Sequence, residues 1–401
     1  MPRFYITHYL CGNESDSAVR NLCFLQTLWR VATLLGIGLA LGLAACTRGE
    51  FNDLEGVGNM RIAHDTTWTA DRPILIEGNV NIEAGATLTI DAGTTIRMGE
   101  RAAFVVGENS SGGLRIEGTR ERPVRILPKS TEVNWRGIHL FRVLPTTRFN
   151  YLEIEQAGDG TTPAISILDL NFPIRNTRLD RCGGDGIEIA RVSPANIPWL
   201  QDVSIQTDNG NPVSGHVSLL LALDASLRFT APRGGIYLRS GSLTAASCYF
   251  YNYTCPYIVR SELSIDAARV DFDPETHIEF ERDGALNFGS YLKTAIHAQR
   301  VAFTGISRYS RYTSHSWKGV IVNTNVVPED SFFRECLFQT GGGGNEGGCL
   351  VVYDVQGLEV SASRFLQSTG YAIVLVGSAA IRERSQNLFE DNRLGDITHR
   401  K

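Results

Sequence analysis

The sequence predicts an all-β protein, a right-handed parallel β-helix that follows an N-terminal export segment. Three observations carry this. The 401 residues are 43% hydrophobic and only 20% charged, with 40 Gly, and the apolar residues come as short Val/Ile/Leu/Phe runs punctuated by Gly, Asn and Asp. That is the composition of many short strands with tight turns. Apolar i, i+2 pairs then return every eight residues, and a longer repeat reuses whole motifs further along the chain.

The apolar pairs begin at Val80/Ile82 and continue as Leu88/Ile90, Ile96/Met98 and Phe104/Val106. Side chains two apart lie on one face of a strand, so each pair marks a short strand with one buried side. Gly85, Gly93 and Gly99 sit between them as turns. Hairpin signals of the Asn-Gly type are too few for an antiparallel meander. Three such segments instead close a triangular coil of about 24 residues that stacks turn upon turn. The pattern continues less regularly at Leu114/Ile116, Val124/Ile126, Ile138/Leu140, Leu152/Ile154, Ile165/Ile167 and Ile187/Ile189, with the longer gaps read as projecting loops.

The longer repeat aligns 87–98 with 269–280 and Trp135-Arg136-Gly137-Ile138 with Trp317-Lys318-Gly319-Val320, both at an offset of 182 residues. Near-equal offsets relate Pro73–Ile76 to Pro256–Val259 and the segment from Arg178 to Ile187 to that from Arg364 to Ile373. Two tandem copies, 61–243 and 244–401, are expected, joined as one continuous solenoid.

Ahead of them, the apolar run from Val31 to Ala45 follows Arg30 and is too short to span a bilayer comfortably, which suits a secretory signal. Its end, Leu43-Ala44-Ala45-Cys46, resembles the lipobox of bacterial lipoproteins. That resemblance implies a signal peptide over 1–45, a lipidated Cys46 as the mature N-terminus, a polar tether over 46–60, and attachment to a membrane through the lipid. Acyl chains contribute roughly 0.8 kcal/mol per buried CH₂, so several of them hold a protein at a membrane. Thr47 stands where inner-membrane lipoproteins usually carry Asp, so the outer membrane or cell surface is the expected location.

Removing residues 1–45, which carry three Arg against Glu14 and Asp16, moves the net charge from −5 to −6. Nucleic acid is therefore not an expected partner, since its affinity comes mainly from cations on phosphates. Export makes Cys182, Cys248, Cys255, Cys336 and Cys349 possible disulfide partners. Cys248 with Cys255 and Cys336 with Cys349 are the local pairings; buried free thiols are the alternative. No Cys-x-x-Cys pair or His cluster points to a metal, and no cofactor is expected.

The run Trp68-Thr-Ala-Asp-Arg-Pro73, with Leu88–Ile96, Gly118–Val124 and Trp135–Ile138, resembles a broad group of bacterial secreted and lipoprotein β-helix proteins of pectin-lyase-like architecture. The likeness covers most of 61–401 and implies the fold. Members of that architecture include lyases, hydrolases, adhesins and passive scaffolds, so it does not imply one activity.

Enzymatic versions need chemistry that is hard to find here. Glycoside hydrolysis uses two facing carboxylates, and the Asn-Thr-Asp, Asp-Asp and Gly-His-Gly signals of polygalacturonases are missing; Gly215-His216-Val217 is the nearest approach. Asp185, in Gly183-Gly184-Asp185-Gly186, reads as a turn. Asp271, Asp273 and Glu275 alternate along one face and make a passable cation site, although a solvated face explains them as well. Trp135 beside Arg136 and Trp317 beside Lys318 are either sugar-stacking pairs or corner packing. The loop from Ser307 to His315 places Tyr309 and Tyr312 among Arg residues, a second possible glycan contact. A surface-anchored binding, adhesion or scaffold protein is the expected function, with a polysaccharide lyase or hydrolase as the alternative.

Overall fold

The computed structural model describes residues 56–401 apart from 169, 191–198, 222, 240 and 307–315. The expected signal segment, Cys46 and most of the tether lie outside these residues. The described chain is a parallel β-solenoid of about thirteen turns. Strand pairings between named strands are parallel throughout, and one sheet of fourteen strands, from Met60–Ile62 to Leu388–Glu390, runs along a first face of the coil. At about 4.8 Å per turn the coil is roughly 60 Å long.

The period of eight is the geometry of one turn. Asn79–Ile82 lies on the first face, Thr87–Asp91 on the second and Thr95–Met98 on the third, and Ala103–Val106 returns to the first. Val80 then pairs with Phe104 and Ile82 with Val106, 24 residues on. All eight members of the four regular apolar pairs are fully buried, as is Ile278. Fully burying each such side chain contributes about 1.5–3 kcal/mol.

Corners are turned by single residues in the left-handed region. Tyr151, Asn176 and Asp202, with φ of 49°, 48° and 53°, stack over one another in the long strands Arg148–Glu155, Pro173–Cys182 and Trp199–Thr207. Each bends its strand from the second face onto the third, so Phe149 pairs with Ile116 before the bend while Leu152 pairs with Val124 after it. Arg300, Glu335 and Ala362 make the equivalent turn from third face to first in later coils. Lateral stacking also aligns like residues. Phe303, Phe338, Phe365 and Phe389 form a ladder inside the first face, with ring centroids 5.0, 4.7 and 5.4 Å apart.

The coil starts slightly earlier than the sequence indicates, because Val57 already bridges to Ile76. The disulfide expectation is not met: Cys182, Cys248, Cys336 and Cys349 carry free thiols, and like Cys255 they are buried. Each fills a position of the apolar interior, the role of a small hydrophobe.

The first-face sheet runs through without a break, but the other two faces are divided. Their lower sheet ends at Arg228–Thr230 and the upper one begins at Gly241–Phe250. Between them the 3-10 helix Val217–Leu221 occupies the place of a second-face strand. The repeated segments are placed in an unexpected way. Third-face Thr95–Met98 corresponds to first-face His277–Phe280, and first-face Gly137–Leu140 to second-face Gly319–Val322. Every matched pair is separated by seven turns and one further face. All three faces present alternating apolar strands, so a segment moved on by one face is buried equally well.

Candidate functional site

Trp135 and Trp317 both have no exposed surface. Trp135 donates its indole N–H to the Glu155 carbonyl at 2.9 Å, and Trp317 donates to that of Gln339 at 2.8 Å. Trp317 also lies flat on Phe280, centroids 4.2 Å apart. Neither ring is available to a sugar; both fill corners, where the following Gly137 and Gly319 take positive φ and the chain enters a strand. Lys318 bonds Glu262 at 2.6 Å, which raises its pKa. Tyr309 and Tyr312 lie outside the described residues.

The acidic trio is dispersed among different partners. Asp271 bonds Arg269 at 2.7 Å and His297 at 2.9 Å, and Glu275 bonds Arg300 at 2.9 Å. Among the described residues no three His, Cys, Asp or Glu side chains are grouped to hold a metal. Asp185 braces a turn by accepting the Asn211 backbone N–H at 2.8 Å. His216 packs against Gly241, where a Cβ would meet its ring.

Arg136 is the expected contact residue that does line open space. It borders two polar hollows of about 330 and 200 Å³ on the first face, shared with Asp159. Burial alone would raise the Asp159 carboxyl, but hydrogen bonds from the hydroxyls and backbone of Thr161 and Thr162 outweigh it and hold the pKa at about 2. Burial lowers the pKa of His139, on the floor of the smaller hollow, below its ordinary value.

A second cleft, of about 330 Å³, opens at the seam where the lower and upper sheets separate. One wall is Arg228–Thr230, the last strand of the lower sheet. The other is Tyr251, Asn252, Tyr253 and Thr254, with Asp273 beside them. The wall is stiff. Tyr249 and Tyr251 pack with centroids 4.5 Å apart, and Tyr253 makes an edge contact with Phe229 at 4.9 Å. Tyr249 donates to Asp273 Oδ1 at 2.7 Å, and the Asn252 backbone N–H donates to Oδ2 at 3.1 Å. Its hydrogen bond to Asp273 pushes the Tyr249 hydroxyl up to about 12, so it remains a donor. Tyr253 donates to the Asp224 carbonyl at 2.7 Å. The result is a preorganised hollow with aromatic rings, an amide, a guanidinium and one carboxylate.

Sequence reasoning passed over this site, although Tyr249-Phe-Tyr-Asn-Tyr253 is the densest aromatic run in the chain. It also passed over Trp199, which is 51% exposed and has the Arg175 guanidinium 4.2 Å from its ring centroid. An exposed Trp beside a cation was the expected sugar-stacking pair, and the structure offers it here instead. Comparison of the chain with family models, curated proteins and solved structures finds no match in any of the three. The functional reading therefore rests on the geometry of these surfaces.

Proposed function

We propose that the protein is an exported, lipid-anchored β-solenoid that binds carbohydrate at the envelope surface without turning it over. The observation that carries this is the tyrosine cleft at the sheet seam. Rigid aromatic rings supply apolar faces for pyranose C–H groups, at low entropic cost to the protein. Asn252, Thr230 and Arg228 surround them with hydrogen-bonding groups. Asp273 is the one carboxylate in the lining, and both its oxygens are engaged, which favours binding over a hydrolysis that needs two carboxylates.

A glycan array probed with the solubilised protein and with Tyr251→Ala tests the reading: binding is expected to be lost in the variant. Array binding that survives Tyr251→Ala sinks it. The alternative, a lyase or hydrolase, draws support from the first-face hollow, where His139, with its pKa lowered by burial, and Arg136 accompany a charged Asp159. Release of reducing ends or unsaturated products, lost on His139→Ala, would favour it. The anchor is tested separately, since Cys46→Ser should move the protein from the membrane fraction to the soluble one.

A further inference from the structure

We propose that Trp199 and Arg175 form a second contact for the ligand of the tyrosine cleft, and that this ligand is an extended polysaccharide chain. The proposal rests on the binding reading of the cleft and adds the ligand's class and course.

Trp199 opens the strand Trp199–Thr207 and turns its side chain outward, while Leu200 beside it is fully buried. Half of the indole is open to solvent and within reach of a ligand. The ring is held in place. Arg175, on the neighbouring turn, sets its guanidinium 4.2 Å from the centroid, and its Nε is buried without a hydrogen-bond partner. Arg175 therefore directs part of its charge at the indole face, as in a cation–π contact. A fixed, half-exposed indole is a platform on which a sugar ring can stack.

The platform and the cleft are built on adjacent turns. Further along the strand that begins at Trp199, Ser204, Ile205 and Gln206 pair with Arg228, Phe229 and Thr230, one wall of the cleft. Five residues of strand separate Trp199 from Ser204, a path of about 17 Å along the chain at the usual rise. Between them Asp202 bends the strand from the second face to the third. The two surfaces lie on different faces and on successive turns, so they do not meet around one sugar ring. A ligand touching both surfaces is a chain of several sugars crossing the corner, and two linked contacts bind a polymer more tightly than either binds a fragment.

The test uses the detergent-solubilised full chain and native affinity gels containing hydroxyethylcellulose, xylan or dextran. The disaccharide of whichever polymer retards the protein is then titrated by calorimetry. Trp199→Ala is expected to weaken polymer binding about ten-fold and to leave disaccharide binding unchanged. Trp199→Phe is expected to keep most of the polymer affinity, and Tyr251→Ala to abolish binding of both ligands. Unchanged polymer binding in Trp199→Ala, with loss in Tyr251→Ala, overturns the second contact and leaves the cleft reading intact. Equal loss in the Ala and Phe variants also overturns it, since the aromatic face is then not the contact. If the wild type is retarded by none of the three polymers, this inference fails, while the array decides the cleft reading independently.

Discussion

Trp317 donates its indole N–H to the main-chain carbonyl of Gln339 at 2.8 Å, inside a corner from which solvent is excluded. Trp135 makes the same kind of bond to Glu155 seven turns and one face away. Trp317→Ala is expected to cost about 3–5 kcal/mol through the cavity it leaves. Trp317→Phe should cost less, about 0.5–1.5 kcal/mol for the lost hydrogen bond, because the Gln339 carbonyl keeps the Thr340 hydroxyl as a donor. Urea unfolding measures both, and in the folded variants glycan affinity should not change.

Asp159 gives the fold a defined acid dependence. Its pKa is about 2 in the folded protein against 3.8 for the ordinary carboxyl. A depressed pKa stabilises the fold fully above the unfolded value, and the contribution fades as pH falls through the folded value. Asp159→Asn should therefore melt lower than wild type by a constant amount from neutral pH down to about pH 5. The two melting curves should converge as pH falls between 3.8 and about 2. A gap that persists to the acid end would show that the Asx turn, and not the charge, is what matters.

Ala362 turns a corner at φ +52° on an exposed position. The left-handed conformation costs a non-glycine residue about 1–2 kcal/mol, and the extra freedom of glycine in the unfolded chain returns about 0.4–1 kcal/mol of that. Ala362→Gly should accordingly raise stability by up to about 1 kcal/mol in urea titrations. Destabilisation would mean that the corner is not strained.

Burial pushes the thiols of Cys182, Cys248 and Cys336 up to about 12 and that of Cys349 to about 11. Thiolate is the reactive form. Iodoacetamide at about pH 8 should leave these four unmodified in the native protein and label them after unfolding in urea, as read by peptide mass spectrometry. Reductant should not shift the melting temperature, since none of the described cysteines is joined in a disulfide.

The solenoid was legible because its information is local and periodic. Val80 and Phe104 are partners in the sheet simply because three eight-residue segments close one turn. Which side of a corner a residue takes is less local. Trp135 and Trp317 precede glycines of positive φ, where strand alternation resets, so their burial does not follow from the phase of Ile138 or Val320. The seam was hidden for a similar reason: Val217-Ser-Leu-Leu-Leu221 is as apolar as any strand and yet coils as a 3-10 helix. The tyrosine cleft lies at the third-face part of the same seam, between Arg228–Thr230 and the chain that leaves Gly241–Phe250. Trp199 follows the same logic, since the guanidinium on its ring comes from Arg175, 24 residues earlier on the preceding turn, where it lies opposite Gln201 in the sheet.

The seven-turn, one-face displacement between matched segments sets the directions in which their surface residues point. Corresponding surface residues look out at azimuths a third of a revolution apart, so a straight ligand lying along one flank meets only one of each pair. A surface feature present in both members of a matched pair therefore faces two different directions along the coil.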